Sequence, residues 1–259
     1  MSAREFSRRN FGGNLPQPPL PETPLPETPL SEALKAGNQA LFKELLEDPE
    51  NHRDINTAGH DYLEAAIILN RQEIVRALVS LPLSEFDFPN RPGAPTEANS
   101  HLDLSISFER FAIFKIIVDT GKVDISKPDS DGRTPLHLAS AIGATHIVQL
   151  MLQYDNVKAD VKDNEGRTPL YLAAYGGMSN VVEILLRLDT VDPDSKDMKG
   201  RSPFWWALRY GYDSIATMLA DTGRVDRSVE EEAIMTRNRM LVLDRYAPPT
   251  FATRYGRHN

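Results

Sequence analysis

Arginine recurs along this chain at a fixed interval. Arg133, Arg167 and Arg201 stand 34 residues apart, and each follows a glycine (Gly132, Gly166, Gly200). A guanidinium is a rigid fork of N–H donors, and three at one spacing would form a ladder of the kind interfaces favour. A second line is apolar and aromatic: Phe108, Ile142, Tyr175 and Tyr210. Tyr and Phe bring large contact areas, and exposed rings in a groove otherwise waste solvation. Glu165, Lys199, Arg209 and Trp205 fall beside these two lines. The arginines admit a second reading: each pairs with a nearby Asp or Glu and only holds its own loop.

Other chemistry is sparse. There is no G-x-S-x-G, no phosphate-binding glycine loop, no H-E-x-x-H and no G-x-G-x-x-G. The six histidines share no metal-like i, i+4 spacing, and there is no cysteine to act as thiolate ligand or nucleophile. No catalytic residue, metal or cofactor is therefore expected. Asp129, Asp163 and Asp197 each stand three residues before a glycine, where an Asp side chain closes a turn.

The elements that must position these residues are repeats. "DGRTPLHLASAIG" (131–143) returns as "EGRTPLYLAAYGG" (165–177) and "KGRSPFWWALRYG" (199–211). Weaker copies extend the series backwards, giving six units that begin near residues 28, 61, 100, 134, 168 and 202. Each unit reads as helix, turn, helix, loop. In the fifth, Thr168 is an N-cap, Pro169 occupies the first helical position, and Gly176 and Gly177 end the helix. A second helix follows over 180–188 with Asn180 as its cap. Trp206 replaces Leu138 and Leu172 and reads as core. Trp205 stands at the His137 position, and either packs against the closing helix or marks a small-molecule pocket beside Tyr210.

The unit resembles the ankyrin repeat. Gly132–Ala139, with Gly143, Ile147, Val148, Leu150 and Leu152, carries the resemblance, and the wording "DTGKVDISKPDSDGRTPL" is similar to ankyrin repeats of filamentous fungi. It implies an all-α ankyrin-repeat solenoid in which each helix pair is stable only against its neighbours. It also implies that His137 bonds backbone between adjacent turns. The expected layout is a Pro-rich, extended arm over 1–27, repeats over 28–228, a capping helix over 229–246 and a tail over 247–259. In the capping helix Val229, Ala233, Met240 and Leu241 should face the last repeat, and Glu230–Glu232, Arg237 and Arg239 should face water.

Turn tips and the exposed side of the first helices line the concave face of such a stack. The expected partner-binding set is Phe108, Arg133, Ile142, Glu165, Arg167, Tyr175, Lys199, Arg201, Trp205, Arg209 and Tyr210. The function implied is a scaffold or adaptor, acting as a monomer, that binds another protein through this face. The alternative is a small-molecule-binding protein or a cyclase- or isomerase-like biosynthetic enzyme with an aromatic groove pocket. In that reading a small-molecule ligand takes the place of the partner, and the acid/base candidates are nearby carboxylates or Tyr175 and Tyr210, with nothing in the sequence to single one out. A third possibility is an inhibitor or adaptor docked through the Pro-rich arm, whose seven prolines between residues 10 and 30 include P-x-x-P spacings.

A net charge of −8 disfavours nucleic acid as a partner. No stretch approaches the roughly 18 apolar residues of a membrane span, and the N-terminus does not read as a signal peptide. Zero cysteines fit a reducing compartment, cytoplasmic or nuclear.

Overall fold

The computed structural model describes residues 25, 27–48, 51, 62–81 and 100–246, with side chains of the last helix as far as residue 238. Among the described residues there are α-helices and no strands. They come in pairs: α1 (Pro29–Ala36) with α2 (Gln39–Leu46), α3 (Tyr62–Ile68) with α4 (Gln72–Val79), and α5 (Ser100–Ser107) with α6 (Phe111–Asp119). The series continues with α7 (Pro135–Ile142) and α8 (Thr145–Met151), α9 (Pro169–Gly176) and α10 (Ser179–Leu186), and α11 (Pro203–Tyr210) and α12 (Asp213–Asp221). A 3-10 turn (Arg227–Val229) leads into α13 (Glu230–Tyr246).

Local chemistry fixes where the first helix of a unit begins. Thr28, Thr168 and Ser202 are extended, and each side-chain oxygen accepts the N–H three residues on; proline follows at the first helical position. Gly37, Gly143, Gly177 and Gly211 end these helices in the left-handed region, at φ between 71° and 81°. Units two and three put Asn70 (φ 57°) and Glu109 (φ 54°) at the same place. The second helix of unit five differs from expectation. It starts at Ser179 after an N-cap at Met178 that makes no side-chain bond, so Asn180 lies inside the helix and is not its cap.

Helices of seven to nine residues are too short to hold alone in water. Stacking supplies what they lack. First helices form an inner layer in which α3, α5, α7, α9 and α11 follow one another, and second helices form an outer layer from α2 to α12. Between the layers one apolar core runs from Leu30 and Phe42, through Phe114 and Val148, to Leu219. α13 packs on α11 and so takes the next place in the inner layer, with Ala233 fully buried. Val229 is partly buried there. Arg237 does not simply face water: its guanidinium lies against Gly211 at the end of α11, 3.8 Å from Asp213. The expectations for Arg239, Met240 and Leu241 lie outside the described side chains. Those for residues 1–24 and 26 of the arm, and for the tail 247–259, lie outside the described residues.

Candidate functional site

The turns ahead of α7, α9 and α11 are built alike. Asp129 Oδ1 accepts from the N–H groups of Asp131 and Arg133, at 2.9 and 2.8 Å, and Asp163 and Asp197 do the same in their turns. Adjacent tips are tied by backbone. Asn164 N–H donates to Asp131 C=O and Met198 N–H to Glu165 C=O, both at 2.9 Å.

The three arginines close on carboxylates of this chain. Arg167 Nε donates to Asp163 Oδ2 at 2.7 Å and Nη1 lies 3.0 Å from Glu165, leaving the side chain 13% exposed. Arg201 donates to Asp197 Oδ2 through Nε at 2.9 Å and Nη2 at 2.6 Å. Arg133 lies 3.3 Å from Asp131 and 3.8 Å from Asp163 of the next turn. These guanidinium groups hold the turns in shape. The Arg133 and Arg201 side chains remain partly exposed.

His137 and Tyr171 occupy the same position in successive units and tie one unit to the next differently. Thr134 N–H donates to His137 Nδ1 at 3.0 Å, so the ring proton sits on Nε2 and donates to Arg167 C=O at 3.1 Å. Burial holds the His137 pKa below the ordinary value. Tyr171 instead donates its O–H to Asp197 Oδ2 at 2.7 Å and accepts from Trp206 Nε1–H. Burial, then the Asp197 carboxylate, pushes the Tyr171 phenol far up. Burial works to raise Asp197 too, but hydrogen bonds from Arg201 and Tyr171 outweigh it and hold the carboxyl below its usual range. This network keeps Tyr171 neutral and Asp197 charged.

Trp206 is the hub of the inner layer's C-terminal end. Tyr210 stacks on it with centroids 5.2 Å apart, while Tyr175 and Trp205 meet it edge-on at 4.5 and 4.7 Å. Arg201 lies over its ring at 4.8 Å and Arg209 at 5.7 Å; Arg209 also covers Trp205 at 5.1 Å. Both tryptophans are buried, whereas Tyr175, Arg209 and Tyr210 are partly exposed. Burial and a hydrogen bond with Tyr210 push the Tyr175 phenol well up, and burial takes Tyr212 to about 12.

Tyr175, Arg201, Trp205, Arg209 and Tyr210 thus converge. Phe108 sits apart with Arg110 at 5.8 Å from its ring, and Ile142 packs on the main core. Glu165 and Lys199 stand exposed at successive turn tips. Tyr175 shares its register with Ala141 and Arg209, one residue before the Ile142 and Tyr210 position, so the aromatic line is two adjacent lines. Trp206, Tyr171 and Asp197 were missing from the sequence-derived set. The tyrosine at the His137 position, 26 residues before an aspartate that opens the next turn, was the available signal. Arg71 and Arg110 were missed as well. They reach back one unit and donate to Lys35 C=O (2.9 Å) and Ile68 C=O (3.2 Å), where a preceding helix ends. Among the described residues no cluster of His, Asp or Glu has the arrangement of a metal site.

The helix pairs, the 34-residue spacing of the turns and the inter-turn bonds agree with the family model for ankyrin repeats, which matches in three copies over residues 102–197 and 157–230. The chain belongs to the ankyrin-repeat proteins. No curated protein matches its sequence. Units one and two precede the matched ankyrin residues, yet stack on the same plan, with Thr28 capping α1 and Tyr62 opening α3. Ankyrin repeats are commonly protein–protein interaction modules. Among the described residues no helix is long and apolar enough to cross a membrane.

Proposed function

We propose that this ankyrin array is an interaction scaffold that takes another protein on its concave inner face and performs no catalysis of its own. The carrying observation is the cluster around Trp206. Tyr175, Arg209 and Tyr210 offer partly exposed aromatic and cationic surface, and each rests on a ring or guanidinium that the fold already fixes. A patch held this rigidly loses little side-chain freedom on association. Phe108, Arg133, Ile142, Glu165, Arg167, Lys199, Arg201 and Trp205 complete the proposed contact set, and the array acts as a cytoplasmic or nuclear monomer. The rings around Trp206 lie against one another, which favours a contact patch over a small-molecule pocket. A hollow of about 250 Å³ beside Gly143, Gly177 and Met178 has no wall in that cluster.

The test is affinity capture from source extract, read by mass spectrometry for proteins and small molecules. The bait is compared with a Lys199→Glu, Arg209→Ala, Tyr210→Ala variant shown to be folded by circular dichroism. Arg167 and Arg201 are left intact because they tie the turns. A protein held by the native chain and lost by the variant is the expected result. A metabolite lost in its place, or equal retention by both baits, would overturn the reading.

A further inference from the structure

The tetrapeptide Pro-Glu-Thr-Pro is written twice near the N-terminus, at 21–24 and 26–29, and the inner-face reading makes no use of it. Four inner-layer helices open with a hydroxyl residue followed by proline, at Thr28, Thr134, Thr168 and Ser202. Three of these hydroxyl residues are enclosed by neighbouring units: Thr134 is 7% exposed, Thr168 0% and Ser202 2%. Thr28 belongs to the first unit of the stack. It is only half-buried, between an exposed Glu27 and an exposed Pro29. Its backbone is extended (φ −118°, ψ 157°), as a residue before proline prefers and as a kinase cleft requires.

We infer that Thr28 is a phosphorylation site for a proline-directed kinase, and that the phosphate works at the junction of the first two units. Thr28 Oγ1 attacks the γ-phosphorus of ATP. The O–P bond forms, the bond to the bridging oxygen breaks, ADP leaves with the electron pair, and the hydroxyl proton passes to the kinase's base. Access needs only the first turn of α1 to open. That helix has eight residues and, among the described residues, has a neighbouring unit on one side alone, so its opening is among the least costly in a solenoid.

The consequence follows from the partner of the hydroxyl. Thr28 Oγ1 shares a hydrogen bond with Tyr62 Oη at 3.1 Å, and Tyr62, in α3, is 1% exposed. A phosphoryl group adds bulk and nearly two negative charges beside a ring with no room to move. Glu27 and Glu32 flank it with charge of the same sign. The favourable field at the start of α1 does not restore the lost fit. Phosphorylated Thr28 therefore loosens the α1–α2 pair from α3.

The test treats the full chain with a purified proline-directed kinase and γ-labelled ATP and maps the label by fragment mass spectrometry. Thr23→Val and Thr28→Val variants are run beside it, with urea-unfolded chain as a control. Label on Thr28 of the folded chain is expected, retained in Thr23→Val and lost in Thr28→Val. Thr134, Thr168 and Ser202 should take label only after unfolding. Amides of α1 and α2 should exchange about tenfold faster in the phosphorylated protein, with α9 and α11 unchanged. Label confined to Thr23, no label on folded Thr28, or equal labelling of Thr134 in the folded chain overturns the site. Full occupancy of Thr28 with unaltered exchange overturns the junction effect. None of these outcomes depends on a concave-face partner.

Discussion

Tyr171 and Asp197 meet across the boundary between the fifth and sixth units, the phenol donating to the carboxylate at 2.7 Å, and the same phenol oxygen accepts from Trp206. One hydroxyl therefore joins a helix of one unit to the turn and helix of the next. Tyr171→Phe keeps the ring and removes the oxygen. Asp197 retains Arg201, but Trp206 Nε1–H is left without that acceptor inside a buried cluster. A buried donor without its acceptor costs about 1–3 kcal/mol. Urea unfolding should show a midpoint lowered to match, with the slope little changed.

His137 gives the preceding boundary a pH dependence. Burial depresses its pKa in the folded chain below the ordinary imidazole value of about 6.5. As pH falls through that value, the unfolded chain takes up a proton that the folded chain refuses, so stability is lost. Below the depressed folded value both states are protonated and the loss stops growing. The expected outcome is a native chain whose stability declines, relative to His137→Gln, as pH is lowered from about 7 toward 5. Parallel slopes for the two proteins in that window would contradict it.

Two residues work against the fold, and replacing them should raise stability. Glu109 adopts φ 54° where units one, four, five and six place glycine. A side chain there costs on the order of 1 kcal/mol, so Glu109→Gly should raise the melting temperature by a few degrees. Ser140 is fully buried in α7, and among the described residues its Oγ has no hydrogen-bond partner. Ser140→Ala removes the unmet group and improves helix propensity, with a gain of about 1 kcal/mol. The reverse change at a matched position, Gly143→Ala, should destabilise, because φ is 81° and a Cβ would sit 2.6 Å from Met178 Sδ. Thermal melts of the three variants check all of this together.

What the sequence revealed and what it hid divide by distance along the chain. Thr168, Pro169 and Gly177 act on backbone within one helix, so the repeat, the caps of its first helices and its turn aspartates could be read directly. The pairing of Arg167 with Asp163 is four residues long and was one of the two open readings. The Trp206 cluster is different. Tyr171, Tyr175 and Trp206 meet only because α9 lies beside α11, and the offset between stacked helices decides which rings touch. The six-unit alignment put Tyr175 one residue out of register, so it merged two lines of side chains into one. Trp206 looked like core because its position holds leucine elsewhere, and it is buried, but in a cluster separate from the main core.

That separate cluster makes a local reporter. The chain has two tryptophans, and both lie in it, beside Ala233 of α13 and Val229 of the 3-10 turn ahead of it. Tryptophan emission therefore follows the sixth unit and its cap, whereas far-ultraviolet circular dichroism follows every helix. In a solenoid each unit contacts only its neighbours, so an end can open before the middle. Truncation after Asp226 removes α13 and uncovers the face of α11 that Ala233 covers. Emission should then shift to the red, and its thermal transition should fall several degrees below that of the native chain. The helical signal should retain a later transition from the units further from the cut. A single coincident transition in the truncated chain would show that the six units melt as one, and that α13 supports the whole stack as well as its last member.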